Sequence, residues 1–293
     1  FWPPGPLDRQ TCSITSSGSI STSTSSGSGS TATVAAEVWM RLVRARPDDP
    51  DAAVRVADLL RQAGMTDEPL ALYKRAVEVA PDRPQYREYL GRFLHAMERG
   101  DDALAAWRSM AEGDRRSTEN LKRLSELLSR YGYVREAAEA AGQACALAPR
   151  DFDASLEYAG RLADDRRYDE ALARLDVADA LALDDRQRDR ALDRRIAVLL
   201  AAGRLAAEID RLAARLQSGD GATAEGWRRL ARYCEAASRI PEAMRAIREA
   251  VALDETSVAT WQLAATIYER AGSLAEAAQA YRRLAEQDRS LRT

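Results

Sequence analysis

The feature that most constrains the fold of this chain is an internal repeat with a period of about 34 residues. Seven segments of similar pattern follow one another at nearly constant spacing. One unit of this length cannot bury an apolar face alone, so neighbouring units must stack to form a shared core. The chain is therefore expected to fold as an array. Its repeats begin at Pro50, Pro84, Thr118, Phe152, Asp189, Ala224 and Val258.

Each repeat has the pattern of two helices joined by a short turn, often with glycine in the turn. A small residue recurs once in the second helix of most repeats, because two helices approach closely only where side chains are short. The aromatic residues Tyr73, Trp107 and Tyr281 recur beside these positions and add apolar bulk. The recurring small residues are Ala103, Ala137, Ala171, Ala243 and Ala277.

This pattern resembles the tetratricopeptide repeat family, which has Trp, Leu-Gly and Tyr on the first helix and Ala, an aromatic residue and Ala on the second. The resemblance runs from the first repeat to the last and implies an all-α fold. That fold is a right-handed superhelical solenoid of antiparallel helix pairs, with about seven repeats plus an N-terminal half repeat. It also implies protein binding, without naming a ligand. The last repeat matches best, through Trp261, Tyr268, Gly272, Ala277 and Tyr281.

The repeat that starts near Asp189 departs furthest from the pattern. It has no aromatic residue, and Glu208 stands where the small alanine belongs. Because a glutamate prevents close approach of two helices, we expect a local irregularity in this repeat.

The chain divides into residues 1–33, an extended Ser/Thr/Gly-rich arm, and residues 34–293, the solenoid. Most positions of the stretch 11–33 are Ser or Thr, and none of its side chains is charged. No amphipathic pattern fits this stretch, and Gly18, Gly27 and Gly29 disfavour a helix.

Residues 34–46 supply only the second helix of a half repeat. The apolar surface of this helix is larger than one neighbouring helix is expected to cover. At the other end of the array, the last repeat shows no polar capping helix of the kind that ends a monomeric solenoid. Stacked head to tail, such ends give a heterologous contact, which forms a filament if it does not close. The predicted contact residues of this helix are Val38, Trp39, Leu42 and Val43.

The tip of the arm suits an anchor on a neighbouring subunit. Phe1 and Trp2 offer aromatic surface, and Pro3 and Pro4 favour a stiff polyproline II segment. An arm of this length spans on the order of 100 Å. The alternative interpretation is a plain flexible linker.

The hydroxyl groups of the arm are also predicted acceptors of O-linked sugars, which are covalent glycans. Such glycans would imply an extracellular or cell-surface location, and a cytoplasmic location is the alternative. The predicted positions are Ser16, Ser17, Ser19, Ser21, Thr22, Ser23 and Thr24.

The resemblance further implies a peptide-binding groove lined by the first helices. A family subgroup grips a C-terminal carboxylate with Lys and Asn, but the single asparagine, Asn120, stands outside that pattern. A solvated charged face is the alternative interpretation. The groove candidates are Glu88, Arg92, His95, Lys122, Glu126, Arg228 and Arg232.

Other functions are not expected. His95 is the only histidine, no cofactor-binding motif occurs, and neither a metal nor a cofactor is predicted. The acidic pairs lie in turns, where they are expected to start helices.

With 43 basic and 46 acidic residues, no basic field attracts nucleic acid. Nor is there an apolar run of about 18 residues for a membrane span. Cys145 and Cys234 fall on apolar helix faces and are expected to be buried.

Two functional hypotheses remain. In the first, the chain is a non-catalytic subunit that stacks head to tail with copies of itself, with the arm contacting a neighbour. In the second, it is a monomeric adaptor that binds a foreign peptide or protein in its groove.

Overall fold

The computed structural model describes residues 28–290, with side chains described from residue 37 to residue 287. Over that range it contains fifteen α-helices, two short 3-10 turns and no β-strand. The helices fall into two compact units, one ending at Pro81 and the other beginning at Asp82. The all-helical repeat architecture predicted from the sequence is confirmed.

The first unit has three helices, α1 (Ser28–Ala45), α2 (Pro50–Gln62) and α3 (Asp67–Val79). α2 and α3 pack as an antiparallel hairpin, and α1 packs against α2. α1 begins at Ser28 and not at the predicted residue 34, because a helix once formed extends at little cost per residue.

The second unit has twelve helices arranged as six successive pairs, so the even-numbered helices are first helices and the odd-numbered ones second helices. Second helices also contact the first helix of the following pair, as α7 contacts α8. The helices are α4 (Pro84–Ala96), α5 (Gly100–Arg108), α6 (Thr118–Arg130), α7 (Val134–Leu147), α8 (Phe152–Asp164), α9 (Tyr168–Leu181), α10 (Asp185–Ala201), α11 (Leu205–Gln217), α12 (Ala224–Ala236), α13 (Ile240–Leu253), α14 (Val258–Arg270) and α15 (Leu274–Ser290).

The acidic pairs start helices as predicted. The Asp49 carboxylate accepts a hydrogen bond of 2.9 Å from the backbone N–H of Ala52, and Asp184 accepts one of 2.7 Å from Gln187. Asp101 lies in the first turn of α5, where its charge meets the positive end of the helix.

Each turn within a hairpin contains one residue in the left-handed region, with φ between 57° and 82°. Glycine adopts this conformation without a steric cost, whereas Glu98, Arg166 and Ser238 do not have that freedom. These residues recur at the repeat spacing and fix the register of the hairpins: Gly64, Glu98, Gly132, Arg166, Gly203, Ser238 and Gly272.

The recurring small residues are buried, as expected where two helices of a hairpin approach closely. Ala103, Ala137, Ala171 and Ala243 have no exposed surface. Cys145 and Cys234 are buried free thiols, also as predicted.

The hairpin of α10 and α11 is open, at the repeat where an irregularity was expected. α10 has 17 residues, whereas α12 has 13, and α10 and α11 barely touch, whereas α12 and α13 pack along their length. Glu208 occupies the position of the recurring alanine, with 30% of its side chain exposed. A carboxylate cannot be buried between two helices without compensation, so the pair stays apart.

The apolar core also divides at α10. Ala191 and Val198 pack in a cluster with α8 and α9. Ile196 and Leu199 belong to a second cluster, which continues through α15. The open hairpin therefore coincides with a boundary in the core of the second unit.

Candidate functional site

A charged face runs along the first helices of the second unit, and three open cavities follow one another on it. Their volumes are about 650, 340 and 240 Å³. The largest lies between α10 and the start of α14, where Asp189, Asp254 and Gln262 line it. Asp189 and Gln262 also line the second cavity, and Arg190 joins the first cavity to the third. The three cavities thus form one continuous groove.

One arginine of each later first helix reaches back to the preceding first helix. Arg123 of α6 lies 2.7 Å from the Glu88 carboxylate of α4. Arg161 of α8 donates to the Ser129 hydroxyl of α6 at 2.8 Å. The inter-repeat arginines and their acceptors are Arg123 with Glu88, Arg161 with Ser125 and Ser129, Arg190 with Asp153, Arg232 with Asp193, and Arg270 with Glu235.

The inter-repeat arginines limit which side chains of the groove can bind a ligand. Exposed ion pairs contribute about 0 to 1 kcal/mol each, so their main effect is to hold neighbouring helices in register. A side chain already bound in this way is a poor contact for a foreign peptide.

Glu88, which the sequence analysis placed on the outward face, is buried, with 6% of its surface exposed. One carboxylate oxygen binds Arg92 and the other binds Arg123. A pattern within one helix predicted an outward position, but the arginine that covers Glu88 comes from the next repeat. Glu88 and Arg92 therefore belong to the packing of the array.

His95, predicted to lie on the groove or the surface, is half-buried and packs among aromatic side chains. Its ring centroid lies 4.8 Å from that of Tyr131 and 5.8 Å from that of Trp107. Trp107 is fully buried, and its indole N–H donates to the Glu88 carbonyl at 3.3 Å. His95 Nδ1 is buried without a hydrogen-bond partner among the described residues. In this structure His95 is therefore held mainly by contacts between rings.

Lys122 and Glu126 are also engaged, but they lie nearer to solvent. Lys122 Nζ is 2.7 Å from the Asp151 carboxylate. Burial raises the pKa of Asp151, but the hydrogen bonds from Lys122 and from the backbone N–H of Ala154 outweigh it, so the net pKa is lowered. Glu126 pairs with Arg130 of the same helix at 3.0 Å.

Among the predicted arginine, lysine and glutamate contacts of the groove, Arg228 is the one that forms no salt bridge with a described residue. It lines the second cavity with Arg232, which is bound to Asp193. Hydrogen bonds from the hydroxyl and backbone N–H of Thr256 lower the pKa of Asp254, with a smaller contribution from Arg228. The guanidinium of Arg228 is thus not held in an ion pair by a described residue and is available to a ligand.

The four predicted contact residues of α1 are divided between two environments. Val38 and Leu42 are 57% and 47% exposed, whereas Val43 is buried within the unit at 2%. Trp39 is half-buried. We call Val38 and Leu42 the α1 stripe, since residues four apart lie on the same side of a helix.

The predicted arm contacts Phe1, Trp2, Pro3 and Pro4 lie outside the described residues. So do all the predicted sugar acceptors, Ser16, Ser17, Ser19, Ser21, Thr22, Ser23 and Thr24. These assignments stay predictions.

No group of three or more metal-binding side chains occurs in the part of the chain that the structure describes. Within the same range, no helix combines the length and the apolar character needed to cross a membrane.

The inter-repeat arginines were not predicted from the sequence. In four of the five cases their signal is an arginine that follows an acidic residue by about one repeat, as Arg270 follows Glu235 by 35 residues. An exposed apolar face on α15 was not predicted either, because the repeat pattern does not reveal which faces have a neighbour.

No protein-family model matches the sequence, and no curated protein is significantly similar to it. Solved structures of helical-repeat proteins do resemble it. MamA from Desulfovibrio magneticus is 21% identical, over 61% of this chain and 97% of that chain, with a TM-score of 0.33. YrrB, a TPR protein with an unusual peptide-binding site, is 14% identical, over 78% and 97%, with a TM-score of 0.32. A tetratricopeptide repeat protein from Parabacteroides merdae is 14% identical, over 80% and 91%, with a TM-score of 0.39.

Proposed function

We propose that this chain is a non-catalytic tetratricopeptide-like scaffold that associates with copies of itself through the α1 stripe. The observation that carries the proposal is a difference between equivalent positions. Val38 and Leu42 are 57% and 47% exposed, whereas Leu72 and Ala76, one repeat later on α3, are 4% and 0% exposed. α3 has α2 as its partner in the hairpin, whereas no helix precedes α1 among the described residues.

Exposed apolar surface of this kind marks contact sites in soluble proteins. A contact between two different faces of the same chain is heterologous and produces a ring if it closes or a filament if it does not. A filament or surface-appendage subunit is the form of assembly that we propose.

The arm belongs to the same proposal. Phe1, Trp2, Pro3 and Pro4 would contact a neighbouring subunit, and the Ser/Thr/Gly-rich stretch would tether them. Tethering raises the effective concentration of the tip, so weak contacts suffice once subunits associate. Sugars on the tether, and an extracellular or cell-surface location, remain part of this proposal.

Replacing both stripe residues tests the proposal. The double variant Val38→Asp/Leu42→Asp is expected to weaken self-association by about 2 kcal/mol or more, roughly 30-fold, because two charges would enter an apolar contact. Sedimentation velocity over a range of concentrations measures the effect. Leu183→Asp is the matched control, since Leu183 is 88% exposed and lies on a loop outside α1. A wild-type chain that stays monomeric throughout would contradict the proposal.

The second candidate function is a groove-binding adaptor, and the continuous groove beside Arg228 favours it. Selection from a library of random peptides displayed on phage would test this function. We expect peptides that bind the wild type and lose most of their affinity for Arg228→Glu, while Leu183→Asp leaves binding unchanged. Failure to enrich any such peptide would argue against the adaptor.

A further inference from the structure

An exposed apolar stripe runs along most of α15. It consists of Leu274, Ala278, Tyr281 and Ala285, which follow one another at alternating helical spacings of four and three, and we call it the α15 stripe. Leu274 and Tyr281 are 75% and 49% exposed. Spacings of three and four place all four residues on one side of the helix.

The position of Tyr281 is covered elsewhere in the array. Ile247, one repeat before Tyr281 on α13, is fully buried, and Trp107 and Leu175 are also fully buried at the same place in their repeats. α13 packs against α14 of the following repeat. The α15 stripe is therefore a repeat-stacking face without a described neighbour.

A charged group beside this stripe indicates what the missing neighbour carries. Glu235 of α12 receives Arg270 from the next first helix at 2.8 Å. Its counterpart one repeat later is Glu269, which forms no salt bridge with a described residue. The Glu269 carboxylate interacts with the Tyr281 hydroxyl and raises its pKa. An apolar helix bearing an arginine at its edge thus complements this face.

α1 has both properties. Its stripe of Val38 and Leu42 is apolar and exposed, and the adjacent Arg41 is exposed with no salt bridge to a described residue. Arg41 precedes Leu42 by one position, which places it at the edge of the stripe.

We infer that the α15 stripe is the acceptor for the α1 stripe of another copy of this chain, with Arg41 of that copy near Glu269. The inference rests on the proposed self-association and assigns its second surface. It makes the contact heterologous, with one α1 face and one α15 face in each interface.

Mixing two defective variants tests the pairing. Val38→Asp/Leu42→Asp disrupts the α1 stripe, which we call the donor, and leaves the α15 stripe intact. Tyr281→Glu disrupts the α15 stripe, the acceptor, and leaves the α1 stripe intact. Each variant alone is expected to be monomeric at concentrations where the wild type assembles. An equimolar mixture is expected to form dimers and nothing larger, because one intact donor and one intact acceptor remain. Sedimentation velocity counts the species, circular dichroism confirms folding, and Leu183→Asp should assemble as the wild type does.

The other outcomes separate the two proposals. If Tyr281→Glu assembles like the wild type while the α1 variant does not, self-association through α1 stands and the α15 acceptor is wrong. If both variants are monomeric and their mixture is too, the pairing of α1 with α15 is wrong. A monomeric wild type overturns both.

A charge exchange tests the polar contact. Arg41→Glu and Glu269→Arg are each expected to weaken association about tenfold, and their combination in one chain should restore most of it. If the combined variant instead loses the sum of the two single effects on association, Arg41 does not contact Glu269 in the interface.

Discussion

Replacing Trp107 by alanine is expected to destabilise the second unit by about 3 to 5 kcal/mol, because a fully buried indole leaves a cavity that its neighbours cannot fill. Its ring centroid lies 4.8 Å from that of Tyr131 and 5.8 Å from that of Tyr133, so one substitution loosens contacts across two repeats. Urea denaturation followed by circular dichroism measures the loss.

Substitutions at Gly91 test whether Trp107 is packed tightly because its indole lies directly against that glycine. A Cβ atom added at Gly91 would overlap the indole Nε1 of Trp107. Gly91→Ala is therefore expected to cost about 1 to 3 kcal/mol by overpacking. Adding Trp107→Phe should recover part of that cost, since the smaller ring makes room. Strictly additive losses in the double variant would contradict this account.

Enlarging the recurring alanine is expected to have opposite outcomes in closed and open hairpins. Ala243→Leu should cost about 1 to 3 kcal/mol, because α12 and α13 touch at this alanine and cannot separate without losing other contacts. Glu208→Leu occupies the same place in the open hairpin and should change stability by no more than about 0.5 kcal/mol. Urea midpoints of the two variants provide the comparison. Equal losses would mean that α10 and α11 are packed as tightly as the other pairs.

Much of the fold could be predicted from the sequence because it depends on residues close together in the chain. The alanine spacing indicated the register, the acidic pairs marked helix starts, and Glu208 marked the irregular repeat. Each of these features acts within one hairpin, over distances that the pattern of a single repeat covers.

The candidate site was harder to predict, because burial depends on partners from other repeats. In the pattern of a single helix, Glu88 and His95 fall on the outward side. Arg123 of the next repeat covers Glu88 from 35 residues away, and Tyr131 of the next repeat packs on His95 together with Trp107 of the same hairpin. The stripe on α15 was missed for the converse reason. Tyr281 has the same local sequence pattern as its buried counterparts and differs in that no described helix follows α15 to cover it.

The direction of the inter-repeat arginines has a consequence for how such an array changes in evolution. In most of the second unit, an interior first helix carries one arginine that binds the preceding first helix. It also carries an acceptor for the arginine of the following first helix. Gene duplication or loss of one whole repeat therefore leaves the donors and acceptors matched in number. Insertions of other lengths would break that match, so the array is free to grow or shorten by whole units.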